Sequence, residues 1–231
     1  MKLESTHLET STGELLCLLS FLILINCFCC HAQGTKPYNF TAEIGASFPK
    51  NEFASTNISS NKSGFADDGF AFKMSAGYNI FEHAGAAIQF FYTRNGVKQD
   101  IYKYAYGPLS SWETVNILFG LKFPFYYKSI FFEAHLFSGF ASNSSPVLLR
   151  TNQTYFNEPR KTTSTPVEGG VTFGYQFKIV SLGISVDYYN TNAKFPDIKT
   201  SSGVSIKNTS FTQEYELVSI CAVMRVKFGK R

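Results

Sequence analysis

Beyond residue 33 the chain has one cysteine, Cys221, although the full 231 residues contain five. An internal disulfide is therefore excluded from that part of the chain. Histidine is as scarce there, with only His83 and His135. No group of His, Cys and carboxylate side chains recurs at ligand spacing, so neither a metal nor another cofactor is expected. No Gly-rich loop follows a strand and opens a helix, which removes the commonest phosphate-binding device. Charge is sparse at 16%, and no basic run exceeds Arg160-Lys161, so nucleic acid is not an expected partner. After residue 30 no apolar run approaches the roughly 20 residues of a spanning helix. What the chain holds in excess is aromatic: 24 Phe and 13 Tyr, too many for a disordered chain and unusual for a soluble domain.

The four other cysteines lie in or at the end of one apolar run, Leu15 to Cys30. Its 16 uncharged residues are short for a membrane span and of the right length for an export signal, with cleavage expected near Gln33. The segment before it carries Lys2 but also Glu4, Glu9 and Glu14, whereas a signal is basic there; an uncleaved anchor is the alternative. A lipid-modified cysteine would need a small residue before it, but Asn26 and Phe28 precede Cys27 and Cys29. Residues 1–33 hold one base and three acids, so the remainder has 20 bases, 14 acids and a net charge of +6. No linker divides residues 34–231, which are expected to form a single domain.

Within that domain the dominant pattern is alternation, the mark of a strand with two different faces. Tyr38, Phe40, Ala42, Ile44, Ala46 and Phe48 alternate with Asn39, Thr41, Glu43, Gly45 and Ser47. The pattern recurs from Phe70, Ala86, Val115, Phe132, Val171, Leu182 and Val218, giving eight segments. The connections between them alternate in length. Long ones cover 49–68, 95–111, 141–165 and 191–210; short ones fall near 81–83, 124–128 and 179–181. An eight-stranded antiparallel transmembrane β-barrel has this asymmetry, with short periplasmic turns and long outer loops. One face is bulky and apolar; the other holds glycines, small polar residues and the charges. In a membrane barrel the apolar face points out to lipid and the polar face inward. Tyr38, Tyr78, Phe123, Phe177 and Phe228 would form one aromatic girdle, and Phe48, Phe70, Tyr92, Phe140 and Tyr188 the other. A soluble lipocalin-like barrel would show the same alternation with the faces exchanged.

The segments YNFTAEIGASF at 38–48, GFAFKMSAGYNIFEHAGAAIQFFYTRNG at 69–96, GGVTFGYQFKIVSLGISVDYY at 169–189 and ELVSICAVMRVKFG at 216–229 resemble the PorT-like outer-membrane β-barrel family of Bacteroidetes. TVNILFGLKFPF at 114–125 and FFEAHLFSGF at 131–140 carry the same resemblance. It implies an exported barrel in the bacterial outer membrane, in a family most of whose members have no assigned activity. The chain departs from the family at Leu118-Phe119, and by three residues after Phe228.

An eight-stranded interior is narrow, so its charges must be paired. The expected lumen network is Lys73–Glu43–Arg225, with Lys122–Glu133 as a second pair and His135 on the same face as Glu133. This network is expected to plug the lumen; a narrow pore for small solutes is the alternative. A lipid-acting enzyme would need a hydroxyl beside His135, but Ser138 has the opposite parity, and no catalytic residue is assigned. The long connections are left as the contact surface, with Tyr102, Tyr104 and Tyr106 as candidates for an envelope protein or surface glycan. Apart from these the expected partner is outer-membrane lipid, around a monomer.

Overall fold

The computed structural model describes residues 37–57, 60, 62–98, 110–146, 160–199, 205–206 and 210–229. The proposed signal and Tyr102, Tyr104 and Tyr106 lie outside the described residues. The strands are β1 (Tyr38–Pro49), β2 (Ala66–Asn79), β3 (Gly85–Val97), β4 (Trp112–Tyr127), β5 (Ile130–Ser144), β6 (Lys161–Ser164), β7 (Val167–Phe177), β8 (Val180–Phe195), β9 (Ile198–Lys199), β10 (Ser205–Ile206) and β11 (Phe211–Phe228). One short helix, α1 (Asn51–Ala54), follows β1.

Nine strands form one antiparallel sheet, and β4 pairs with β5 to close it into a ring. Eight positions go round that ring. β6 and β7 both pair with β5 and keep one unbroken register, Ala141 opposite Ser164 and Ser138 opposite Val167. They are two halves of one strand, interrupted at Thr165-Pro166, where proline has no N–H for a ladder. β9 and β10 form a separate two-stranded sheet.

The ladder sets the width of the ring. Paired residues lead from Asn39 through Gly77, Ala87, Gly120, Phe137, Glu168, Tyr189 and Leu217 back to Pro49, ten residues further along β1. At about 3.3 Å per residue this slip is roughly 33 Å over eight spacings of about 4.8 Å. The strands therefore tilt by about 40°, and the backbone radius is about 8 Å. Such an interior has room for side chains and little else.

Each strand turns its two sets of residues as the alternation predicts. Phe40, Ile44, Met74, Ile117, Phe119, Leu182, Ile184, Ile220 and Met224 are exposed on the outside. Thr41, Glu43, Lys73, Asn116, Glu133, Asp187 and Arg225 are buried inside. The short turns lie within four residues of where alternation suggests. β4 continues through Pro124 to Tyr127, because Phe123, Phe125 and Tyr127 keep the outward parity, and the turn is Lys128-Ser129. Lys178-Ile179 makes the equivalent turn between β7 and β8. The end carrying these turns is the turn end; the opposite end is the loop end.

The connection from β1 to β2 does not behave as a solvated loop. α1 carries Phe53 inward, where it is 1% exposed. Its ring packs on Tyr215 at 4.7 Å and Trp112 at 5.6 Å, and Trp112 reaches Phe195 at 6.1 Å. The Trp112 indole N–H donates to the Gly64 carbonyl at 2.8 Å. These aromatics close the lumen at the loop end.

Candidate functional site: the filled lumen

The inward charges come together, but not in the expected pairs. Glu43 stands opposite Lys73, and Arg225 opposite Thr41, as strand parity requires. Lys73 nevertheless reaches across the ring. Its ammonium donates to Glu168 Oε1 and Asp187 Oδ2, both at 2.6 Å. In the eight-membered ring β7 is the wall directly opposite β2, and β8 stands next to it. A radius of about 8 Å makes this natural, since two long side chains from facing walls meet near the axis.

Arg225 keeps a bond to its cross-strand neighbour and also reaches across the ring. It donates to Glu133 Oε1 at 2.5 Å and from Nε to Thr41 Oγ1 at 3.3 Å. Lys122 lies 3.6 Å from the same Glu133 oxygen, the juxtaposition that parity suggests, and also donates to Ser75 Oγ at 2.9 Å. Glu43 accepts from Ser185 Oγ at 2.8 Å. Among the described residues no ion pair joins Glu43 to Lys73 or Arg225, so the Lys73–Glu43–Arg225 chain is replaced by two cross-lumen clusters.

Glu168 is the residue that sequence reasoning missed. It is fully buried and also accepts from Gln89 Nε2 at 2.7 Å. The pair Gly169-Gly170 obscures its alternation, but counting back by twos from Gln176, Gly174 and Thr172 puts it on the inner face. His135 stands against a carboxylate. Its Nε2 is 2.8 Å from Asp187 Oδ1, and its ring lies 5.5 Å from Phe137. Gly170 makes room for this pair, because a Cβ there would meet the Asp187 carboxylate and His135 Nε2.

His135, Glu168 and Asp187 bring three ligand atoms within 4.8 Å of one another, a grouping invisible in linear spacing. The Lys73 ammonium lies 2.6 Å from both carboxylates and already supplies the positive charge a metal would bring. Cations also lie on rings: Lys73 is 4.7 Å from the Phe91 centroid and Arg225 4.9 Å from that of Phe131. Nearer the loop end Tyr189 donates to Asn116 Oδ1 at 2.8 Å. Around these polar groups Ala71, Phe91, Leu118, Ala193 and Leu217 are buried with the aromatics of the closure.

No family model and no curated protein sequence matches the chain. Solved structures do resemble it. A major outer membrane protein from Thermus thermophilus aligns at 12% identity and TM-score 0.47, over 83% of this chain and 99% of that one. Neisserial surface protein A aligns at 18% identity and TM-score 0.44, over 85% and 100%. Ail, the attachment invasion locus protein of Yersinia pestis, aligns at 12% identity and TM-score 0.45, over 83% and 99%.

Proposed function

We propose that the chain is a bacterial outer-membrane protein: a monomeric, eight-stranded transmembrane barrel, non-enzymatic, that serves the envelope structurally or binds a partner through its outer connections. The carrying observation is the inversion of the two faces. Charges and amides are buried inside the closed sheet while Phe, Ile, Leu and Met are exposed outside it. In water such a surface would aggregate; in lipid it is the required one.

The height of the apolar surface supports the same reading. On β11 the outward residues are apolar from Phe228 to Val218 and become Glu216 and Glu214 beyond it. Ten residues span roughly 33 Å, and a tilt of about 40° leaves about 25 Å along the axis, the usual height of the lipid-facing band. At one edge the rings of Tyr38, Tyr78 and Phe228 pack together at 5.2 and 5.9 Å. At the other, the Tyr188 hydroxyl donates to Glu216 at 2.7 Å. Such amphipathic rings suit the two membrane interfaces.

The ion-paired lumen with its aromatic closure favours a plugged barrel over a pore for small solutes. The non-enzymatic role belongs to this proposal, and His135 lies buried against Asp187. A PorT-like identity and export by a cleaved signal belong to this proposal and rest on the sequence segments quoted above. Heat-modifiable migration in detergent gels tests the barrel. A processed chain that stays monomeric in water without detergent would refute it.

A further inference from the structure

We propose that the turn end carries a binding site for anionic phospholipid headgroups, built on Lys128 and Lys178; this rests on the membrane reading above. Both lysines are exposed at the first position of a two-residue turn. Both take a left-handed backbone, with φ of 54° and 45°. Glycine or asparagine would hold that conformation with less strain, so lysine is not what turn geometry alone favours. The two turns are adjacent in the ring, since β5 pairs with β7, and the Gln176 N–H donates to the Ser129 carbonyl at 2.7 Å.

The surroundings complete a headgroup site. Tyr127, Ile130, Tyr175, Phe177 and Ile179 are exposed beside the lysines, continuous with the apolar band. The Lys128 ammonium lies 5.5 Å from the Tyr127 ring centroid. Lys227 lies just inside the rim, with its ammonium 2.7 Å from Gln176 Oε1. Among the described residues Glu82 is the acid at this end; its β2–β3 turn faces the Lys178 turn across the ring and neighbours the Lys128 turn, where His83 Nδ1 lies 3.2 Å from the Pro124 carbonyl oxygen. At the loop end, by contrast, Glu52, Asp67, Asp68, Glu113, Glu214 and Glu216 stand among the bases. Positive charge at the edge of an apolar band, flanked by amphipathic aromatics, fits the phosphodiester of a membrane lipid.

The test is lipid selectivity. The protein would be refolded in vesicles of phosphatidylcholine containing either spin-labelled phosphatidylglycerol or spin-labelled phosphatidylcholine, and motionally restricted lipid compared by electron spin resonance. The intact protein should favour phosphatidylglycerol at low salt. The variant Lys128→Asn/Lys178→Asn, whose turns tolerate the left-handed conformation, should lose selectivity by about five-fold per lysine, and salt should weaken the preference in the intact protein. Equal selectivity in the two proteins, both shown to be inserted by heat-modifiable migration, would overturn the headgroup site and leave the barrel standing. Failure of the intact protein to insert in any vesicle would overturn both.

Discussion

At the residue scale the chemistry lies in how buried charges are shared. Lys73, Glu168 and Asp187 are each at most 1% exposed, so removing one partner leaves the others without compensation. Lys73→Met should lower stability by about 3–5 kcal/mol, measured by urea unfolding in detergent or vesicles. Neutralising the cluster together, as Lys73→Met/Glu168→Gln/Asp187→Asn, should recover much of that loss, because the penalty belongs to the unpaired charge rather than to the missing lysine. Additive losses in the triple variant would refute the cluster. Gly170→Ala should separate His135 from Asp187, since the methyl group would occupy the space between them. The imidazole NMR signals of His135 should shift in that variant while those of His83 stay in place.

At the element scale the informative departures are α1 and the split strand. α1 is only Asn51–Ala54, and no side chain caps its N-terminus. So short a helix has little stability of its own and is held by the burial of Phe53. Phe53→Ala should cost about 3–5 kcal/mol and open the aromatic closure at the loop end. Trp112 fluorescence should then shift to longer wavelength, because the Phe53 ring no longer shields the indole. An unchanged spectrum would place the closure elsewhere. The connection from β1 to β2 reads as a solvated loop because it is rich in Ser and Asn; its two core-packed aromatics, Phe53 and Phe65, show no strand period to detect. Pro166 has the opposite character. Its local effect, a break in the ladder, is written in the residue itself.

At the scale of the whole molecule the closed sheet decides what the lumen can do. If the lumen is plugged as proposed, a radius of about 8 Å filled by ion pairs, amides and rings should leave no continuous path for ions. Planar-bilayer recordings should show no steady single-channel conductance for the intact protein, and Glu43→Gln should not create one. A stable open level in either would favour the pore. The strands, their two faces and the inequality of their connections follow from alternation, which is local: each residue's parity is set by its neighbours in sequence. By itself, then, the sequence determined which side chains point inward, including the opposition of Glu43 to Lys73 and the approach of Lys122 to Glu133. It did not determine which inward charges meet. Lys73 joins Glu168 from 95 residues away, and that partner follows from the number of strands and the shear that bring β2 and β7 to facing walls. Only the closed tertiary structure sets that distance, because it brings β2 and β7 to facing walls of a narrow ring, where the Lys73 side chain is long enough to reach the opposite carboxylates.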